Sequence, residues 1–330
     1  MAFENIFTHG NLVDIDVGIW TAERRLQPED LGLEGVSEAF TLGHKKLIPA
    51  EVINKFKHLD YIARDILVRY SFEFEFGAAR FVPKKRFVEF ATEIEKIIVE
   101  YNKLADDFAE NYDRYRLQMR QPLVAAAHEA YGRLKALKGF DKNEDVFVNE
   151  FLARLDTFYP KSSDIRGRFH MEYNVFQVSL PDLSQASYAD LAEEGEKIKL
   201  MQEAYNKSLS RKVDSFVDRI TKEQREKAQT VLQRFADSLK QGKKIYVTSM
   251  DSIKTMIEEY KKMDIVEDVG FLAVLGDLKD RINNYTAKQL RTDESLRKMI
   301  LDDVSGVISL ASDQAVITEL ANKYRQRINL

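Results

Sequence analysis

Prolines are confined to the first part of this 330-residue chain: all six lie at or before Pro181, and the last 149 residues contain none. Because proline destabilises a helix interior by about 3 kcal/mol, long helices are favoured in the proline-free segments. Two segments, residues 84–121 and 196–241, also lack glycine. Each carries apolar residues spaced three and four apart, which is the pattern of one buried helical stripe. We therefore predict a long helix in each segment.

The ends of both predicted helices coincide with helix-breaking residues. The first helix follows Pro83 and stops before Pro122, and the second stops before Gly242. The sequence Thr-Lys-Glu-Gln that begins at Thr221 matches a capping box in the middle of the second helix. The second helix is therefore predicted either to be continuous or to kink or restart at this point.

Both long helices must bury an apolar stripe against another element. Packing against each other as an antiparallel pair is the simplest solution. Aromatic stripe residues such as Phe108 and Phe216 are too large for a regular two-stranded coiled coil, so we favour a bundle that also uses residues 123–157 and the C-terminal region. Shorter amphipathic helices are predicted in the C-terminal region over residues 249–263, 267–286, 290–303 and 306–327.

Three segments have the period-two alternation of β-strands. Residues 12–20 alternate strictly, and residues 71–82 contain two alternating runs separated by Gly77, which is the pattern of a hairpin. Residues 169–175 also alternate, and the apolar face switches from residue 176 onward, as at a β-bulge. The predicted fold class is α+β and predominantly α, a long antiparallel helical hairpin or bundle with one small antiparallel β-sheet.

The predicted elements divide the chain into three regions. A small β-containing region comprises residues 1–83 and 160–183, and a long helical arm or bundle comprises residues 84–159 and 184–245. Residues 246–330 form a C-terminal helical region. Segments far apart in the sequence thus build the same region, and no repeat or low-complexity linker separates them.

Composition and motifs exclude several classes of site. The chain has no cysteine, which rules out disulfides, iron–sulfur clusters, thiolate zinc sites and a cysteine nucleophile. It has no glycine-rich phosphate loop, no G-x-S-x-G motif and no close pair among its five histidines. We therefore predict a non-enzymatic protein without a cofactor.

The charge balance and the apolar segments bear on partners and location. Fifty basic and 54 acidic residues give a net charge of −4, which provides no overall attraction to nucleic acid or anionic lipid. The N-terminus lacks the basic and apolar regions of a signal peptide, and the most apolar run, residues 269–275, is far shorter than the ~20 residues that span a bilayer. We expect a cytoplasmic protein without a membrane partner.

Four carboxylates are the candidates for a metal site. Asp14 and Asp16 share one face of the first predicted strand, and Glu73 and Glu75 share one face of the hairpin, because side chains alternate with period two. If these strands pair, the four carboxylates could hold a hard divalent cation, which prefers oxygen ligands. Two other interpretations are open: they form the solvated face of a half-buried sheet, or an acidic docking surface.

Basic residues cluster where the first long helix begins. The candidates for contact with nucleic acid are Arg80, Lys84, Lys85 and Arg86. Positive charge at a helix N-terminus is unfavourable by roughly 0.3–1 kcal/mol, which indicates an acidic neighbour or a function. With the basic pairs at positions 24–25 and 45–46, these residues could contact a phosphate backbone. A solvated basic rim is the alternative interpretation.

The N-terminal third also resembles a known family. The resemblance is carried by NLVDIDVGIWTA at residues 11–22, LQPEDLGL at 26–33, LGHKKLIP at 42–49, and residues 70–83. The resemblance is dense over residues 10–120. In this part the chain is similar to a family of bacteriophage and integrative-element proteins, the domain of unknown function 3150. The resemblance implies no catalytic residue. It implies a genetic neighbourhood that contains a MoxR/CobS-like AAA+ ATPase and a CobT-like protein with a von Willebrand A domain.

The residues and the resemblance together favour a scaffold or adaptor. In this interpretation the helical arm positions two protein partners, the AAA+ ATPase and the von Willebrand A protein, in a phage or mobile-element module of the bacterial host cytoplasm. One alternative is a nucleic-acid-binding accessory protein for recombination or replication, and another is a carboxylate-metal-dependent enzyme. The sequence leaves the formation of a homo-oligomer open.

Overall fold

Helices dominate the part of the chain that the computed structural model describes, which is residues 6–25, 43–75, 77–136, 141–177, 195–242 and 245–329. The strands are β1 (Gly10–Gly18), β2 (Glu23–Arg25), β3 (His44–Lys46), β4 (Phe72–Glu73), β5 (Arg80–Pro83) and β6 (His170–Phe176). The helices are α1 (Ala50–Tyr70), α2 (Lys84–Glu110), α3 (Tyr112–Lys135), α4 (Glu144–Asp156), α5 (Gly195–Gln241), α6 (Val247–Met263), α7 (Val269–Asn283), α8 (Ala287–Thr292), α9 (Glu294–Ala311) and α10 (Gln314–Asn329). None of these described helices combines the length and the apolar character needed to cross a membrane.

A small sheet has the strand order β4-β5-β1-β6, and β2 pairs with β3 in a separate two-stranded ribbon. β5 is antiparallel to both of its neighbours, with Gly10 opposite Pro83 and Phe72 opposite Phe81. The predicted α+β, mainly helical fold class is therefore confirmed, as is the predicted hairpin. The expected change of apolar face begins at Phe176, which is the last residue of β6 and is 38% exposed, and its other positions, 178 and 180, lie outside the described residues.

The second predicted long helix is confirmed as α5, which has 47 residues and a length of about 70 Å. It continues through Thr221, so no helix restarts there. The hydroxyl of this buried residue donates to the carbonyl oxygen of Val217 at 2.7 Å. A hydroxyl bonded one turn back within its own helix does not cap a new one.

The first predicted helix is divided in two. α2 and α3 are separated by Asn111, whose φ of −96° and ψ of 5° lie outside the helical region. The Asp107 carbonyl oxygen accepts from the Asn111 backbone N–H at 3.1 Å and also from the Asn111 side-chain amide at 2.8 Å, so the side chain adds a bond to an acceptor that already has its helical donor. The prediction of one unbroken helix over residues 84–121 is therefore wrong.

Pro122 lies inside α3, so the prediction that it ends a helix is also wrong. Proline lacks an N–H group and leaves the carbonyl oxygen of Gln118 without its helical donor. None of the residues 117–126 is fully buried, so water can bond to this oxygen. The helix therefore continues at a local cost in stability.

The C-terminal helices differ from the prediction in where they break. The expected interruption between residues 303 and 306 is absent, because α9 is continuous from Glu294 to Ala311. The break falls earlier, at Asp293, whose carboxylate accepts from the backbone N–H of Leu296 at 3.0 Å. Asp293 is therefore an N-cap that competes successfully with helix continuation.

The chain divides into two compact units. Unit 1 comprises Met1–Asp14, Leu67–Phe90 and Val175–Leu330, and unit 2 comprises Ile15–Ile66 and Ala91–Asn174. The three-region division made from the sequence stays a prediction.

Unit 1 is organised by α5, which packs against α6, α9 and α10. The C-terminal half of α5 contributes Leu232 and Phe235 to a core shared with α6 to α9. Its preceding turns contribute Phe216 to a second core, where this ring lies 4.7 Å from the ring of Phe74 and 5.2 Å from that of Phe81. The predicted bundle with C-terminal helices is therefore confirmed for α5.

Unit 2 has an aromatic core in which Phe56 of α1 stacks on Phe169 at 4.4 Å and meets Phe108 at 5.9 Å. The hydroxyl of the buried Tyr101 donates to the Gly18 carbonyl oxygen at 2.7 Å. In the same unit, α3 packs against α4. Buried tyrosine hydroxyls that donate to backbone carbonyl groups thus tie strands and loops to the helices.

Candidate functional site

The two hairpin carboxylates of the predicted metal site lie against basic or hydroxyl groups. The Glu73 carboxylate is 3.6 Å from the guanidinium group of Arg80, its cross-strand neighbour. The Glu75 carboxylate accepts from the hydroxyl of Ser215 at 2.9 Å and lies 3.9 Å from the guanidinium group of Arg219. Both carboxylates therefore have partners that belong to the fold.

Of the two acidic residues of β1, Asp14 is half-buried and Asp16 is exposed. Asp16 Oδ2 lies 3.3 Å from Nε2 of His170 on β6. Within the described ranges, no group of three or more histidine, aspartate or glutamate side chains is placed to hold a metal ion. The four candidates are thus not brought together as a ligand set.

The four basic candidates at residues 80–86 have unequal roles. Arg86 is 2% exposed, its guanidinium nitrogens lie 2.6 Å from Glu89 and 2.7 Å from Glu259, and it stacks over the ring of Tyr70 at 4.3 Å. A buried guanidinium group held by two carboxylates cannot reach a phosphate backbone. The assignment of Arg86 to nucleic-acid contact is therefore wrong, and the predicted acidic neighbour is present instead.

The other three candidates are more accessible but are partly engaged. Arg80 is half-buried and its Nε donates to the Ser71 hydroxyl at 2.7 Å. Lys85 is exposed along its stem, and its ammonium group donates to the carbonyl oxygen of Asp264 at 3.2 Å. Lys84 is exposed. This segment mainly fastens the start of α2 to unit 1.

A buried ion pair that the sequence analysis missed lies at the centre of unit 1. Nε and Nη2 of Arg225 each lie 2.7 Å from Oδ2 of Asp268, and Nη1 donates to the Leu310 carbonyl oxygen at 2.7 Å. The same Asp268 oxygen accepts from the Tyr260 hydroxyl at 2.8 Å, and Oδ1 caps α7 by accepting from the N–H of Phe271 at 3.3 Å. One carboxylate therefore joins α5, α6 and α7.

The connection between α6 and α7 contains a second buried acid. Oδ2 of Asp264 accepts from the backbone N–H of Asp268 at 2.9 Å, while its Oδ1 is buried without a hydrogen-bond partner. Burial raises the pKa of the Asp264 carboxyl above its ordinary value, against the opposing effect of the backbone hydrogen bonds. Glu267 in the same connection has a φ of 60°, which is uncommon for a residue with a side chain.

His9 lies beside this connection, with its ring 5.5 Å from the ring of Tyr324. Burial lowers the pKa of His9, and the positive charges of Arg327 and Lys84 add to this effect while Glu267 opposes it. The neutral imidazole is therefore favoured in the folded chain. Its role here is packing, which agrees with the isolated position of every histidine in the sequence.

A concave surface of unit 1 runs as a groove between residues 224–238 of α5 and residues 248–263 of α6. We call it the α5–α6 groove. It consists of a cavity of about 600 Å³ and a neighbouring cavity of about 230 Å³, and Val231 and Met256 line both. Met263 and Phe72 line the smaller one. Along α5 the groove is about 21 Å long, or four helical turns.

The α6 edge of the groove carries carboxylates that are already neutralised. Glu259 is paired with Arg86 at 2.7 Å, and Asp251 with Lys254 at 3.5 Å. Gln224 lies at one end, where its side-chain oxygen is buried without a hydrogen-bond partner. This edge therefore offers little net charge to a ligand.

The α5 edge carries two exposed cations, Lys227 and Arg234. Neither lies within ion-pair distance of a carboxylate of any residue that the structure describes, and the Lys227 ammonium group is 5.9 Å from the ring of Phe72. Val231, Phe235 and Met256 form the apolar part of the larger cavity, and serine and threonine side chains, mostly of α6, line the rest. The groove thus combines an apolar floor that includes adaptable methionine side chains, a polar α6 wall and one positive edge. Such a surface is suited to an amphipathic segment.

A signal in the sequence could have located both the ion pair and the groove. The apolar stripe of α5 is interrupted between Ile220 and Ala228, and the interruption holds the buried Gln224 and Arg225. The groove cations then follow at helical spacing around Val231, four residues before it and three after it. Polar residues that interrupt the apolar stripe of a helix and are nevertheless buried indicate a buried polar network.

Comparison with known proteins gives one family. A family model described as "Protein of unknown function (DUF3150)" matches residues 11–300. No match was found among curated proteins or among solved structures. The family match extends far beyond residues 10–120, where the sequence resemblance is dense. Because it covers most of the chain, the protein belongs to the DUF3150 family.

Proposed function

We propose that this protein is a non-enzymatic adaptor that docks a helical segment of a partner protein in the α5–α6 groove. The observation that carries the proposal is the pairing of an apolar floor lined by Val231 and Met256 with an edge of two unpaired cations. Binding of an amphipathic helix in such a groove is a recurring mode of protein recognition.

The charges of the groove specify the occupant. An amphipathic helix of about four turns fits the 21 Å length along α5. Acidic residues on one edge of this helix would lie against Lys227 and Arg234, and its apolar face would lie on Val231 and Met256. The carboxylates on the α6 edge are already paired, so they oppose an acidic helix only weakly. The occupant is therefore an amphipathic helix with an acidic edge.

The family resemblance suggests where this helix comes from. Proteins of this family tend to be encoded beside a MoxR/CobS-like AAA+ ATPase and a CobT-like protein with a von Willebrand A domain. We propose that one of the two supplies the acidic helix, in the host cytoplasm and as part of a phage or mobile-element module. The bundle of α5, α6, α9 and α10 would give the docked helix a rigid base.

Calorimetric titration of the full chain with each of the two neighbouring proteins tests this function, with and without ATP and Mg²⁺. The matched comparison uses two double variants of α5. Lys227→Glu/Arg234→Glu reverses both groove cations, and Lys222→Glu/Lys240→Glu makes the same charge change at exposed positions outside the groove. Because like charges placed against each other cost several kcal/mol, the groove variant should bind on the order of 100-fold more weakly.

The control variant should bind as the wild-type chain does, and both variants should keep its circular dichroism spectrum. Absence of a complex with either protein at micromolar concentrations would contradict the proposal. Equal affinities of the wild-type chain and the groove variant would refute the groove as the docking site.

A further inference from the structure

The two-stranded ribbon of unit 2 brings together basic residues from two distant parts of the sequence. β2 and β3 are antiparallel, with Arg24 opposite Lys45 and Arg25 opposite His44. The third pair places Glu23 opposite Lys46. The ribbon therefore carries four arginine or lysine residues and one carboxylate, although the chain as a whole has a net charge of −4.

One face of the ribbon is fixed by an aromatic ring. The ring of Phe158 lies 4.9 Å from the ammonium group of Lys45 and 5.6 Å from the guanidinium group of Arg24. Lys45 is 7% exposed and Arg24 is exposed. Cation–π contacts of this kind hold a positive charge in place, so Phe158 orients this face of the ribbon.

The opposite face is solvent-exposed. Side chains alternate along a strand, so Arg25 and Lys46 lie on the face away from Phe158, together with His44 and Glu23. Arg25, Lys46 and His44 are exposed, and Glu23 is half-buried opposite Lys46. Neither Arg25 nor Lys46 is within ion-pair distance of a carboxylate in the described ranges. Free cations on a narrow ribbon are an arrangement that attracts a polyanion.

Residues 158–159 connect the ribbon to α3. The Tyr159 hydroxyl donates to the carbonyl oxygen of Leu47, just after β3, at 2.9 Å. Its ring is covered by the guanidinium group of Arg116 at 4.7 Å. Arg116 lies 3.4 Å from the Asp113 carboxylate and 3.8 Å from that of Asp156, which also lies 3.7 Å from Arg120. The two arginines are therefore balanced by two carboxylates, and the excess of positive charge lies on the ribbon itself.

We infer that the β2–β3 ribbon is a binding surface for the phosphate backbone of double-stranded DNA. A two-stranded antiparallel ribbon is narrow enough to enter the major groove, and its exposed cations can pair with phosphates on the groove edges. Contacts to phosphates carry no sequence information, so we expect binding that does not depend on the base sequence. Nucleic-acid contact is thus placed on the ribbon and not at residues 80–86, where Arg86 is buried. This contact does not depend on partner docking in the α5–α6 groove.

Fluorescence anisotropy of a labelled short duplex DNA, titrated with the full chain between about 50 and 200 mM salt, tests the inference. The wild-type chain should bind with a micromolar Kd at low salt, and the affinity should fall steeply as salt rises. Arg25→Gln/Lys46→Gln should weaken binding roughly tenfold at the lowest salt. It should also reduce the slope of log K against log salt by about 1.8, because two phosphate contacts are lost.

The control variant Lys261→Gln/Lys288→Gln makes the same charge change at exposed positions of α6 and α8. It should leave both the affinity and the salt slope unchanged. Absence of DNA binding at low salt would overturn the inference, as would equal weakening by the two variants. Binding to anionic lipid vesicles or to polyglutamate with none to duplex DNA would also overturn it, since the ribbon would then serve another class of partner.

Discussion

Replacing Asp268 by asparagine removes the negative charge of the buried ion pair. Asparagine caps a helix as well as aspartate does, and its one side-chain oxygen can keep the bond from the Phe271 N–H. Its NH2 group then takes the position of Oδ2, where it can donate to the Tyr260 hydroxyl but cannot accept from Arg225, which is 2% exposed. Removing one partner of a buried pair and leaving the other charge uncompensated costs about 3–5 kcal/mol.

This cost should lie in the upper half of that range, because the surroundings offer the guanidinium group little other compensation. Nη1 keeps its hydrogen bond to the Leu310 carbonyl oxygen at 2.7 Å, and the Phe271 ring remains 4.3 Å away. A neutral oxygen and a ring face replace only part of a carboxylate at 2.7 Å. For a unit of this size, about 4 kcal/mol corresponds to a fall in Tm of roughly 8–16 °C.

Thermal and urea unfolding followed by circular dichroism measure the loss, and hydrogen exchange locates it. Exchange should accelerate in α5, α6 and α7, the helices that Asp268 joins. The double variant Arg225→Met/Asp268→Asn is the control, because it removes both charges and should recover most of the lost stability. An Asp268→Asn variant within 1 kcal/mol of wild type would refute the reasoning, and so would a double variant as unstable as the single one.

Two further predictions concern charged groups of unit 1. Because burial raises the pKa of Asp264, the folded chain binds more protons than the unfolded chain between the unfolded and the folded pKa, and stability falls as pH rises through that window. Asp264→Asn should therefore be more stable than wild type at pH 7, with an advantage that shrinks as the pH is lowered toward the unfolded pKa; a pH-independent difference in urea midpoints would contradict this. Arg86→Met should destabilise the fold by about 2–3 kcal/mol, because it breaks a buried pair with half-exposed carboxylates, whereas Lys84→Met should change stability by less than about 0.5 kcal/mol. Equal urea midpoints for these two variants would contradict the prediction that Arg86 stabilises the fold and Lys84 does not.

Local patterns were sufficient to predict the hairpin and the long helix α5. Period-two alternation on both sides of Gly77 specifies the pairing of β4 with β5, since the turn brings the two runs together. The absence of proline and glycine from residues 196–241 likewise predicts α5, and the structure shows that the capping-box match at Thr221 does not end it. Both features depend on residues close in the sequence, which is why the sequence suffices for them.

Pairings between distant residues could not be predicted in the same way. β2 and β3 have three residues each, which is too few for period-two alternation to be recognised. They are separated in the sequence, so their pairing could not be read from either segment alone. The helix break at Asn111 gave no stronger signal than other asparagines in the chain. The hydrogen bond from the Asn111 side-chain amide to the Asp107 carbonyl oxygen is visible only in the structure.

The basic residues show most clearly what a sequence conceals. Lys84, Lys85 and Arg86 are adjacent and alike in charge, yet Arg86 continues the line of buried α2 residues that includes Phe90 and Ile94, four and eight positions later. Helical spacing relative to the buried stripe therefore decides which cation is structural. Charge alone therefore does not distinguish Arg86 from Lys84 and Lys85, whereas position relative to the buried stripe does.

Folding and docking in unit 1 can be separated because α5 serves both with different faces. Leu232 and Ala236 face the core, whereas Lys227 and Arg234 lie exposed on the edge of the groove. A change at Asp268 weakens the bundle from within and should reduce partner binding only as far as the chain unfolds. Reversing the two groove charges should reduce binding while leaving the Tm unchanged. If the groove variant lost stability in proportion to its loss of binding, the exposed face of α5 would belong to the fold and not to a docking site.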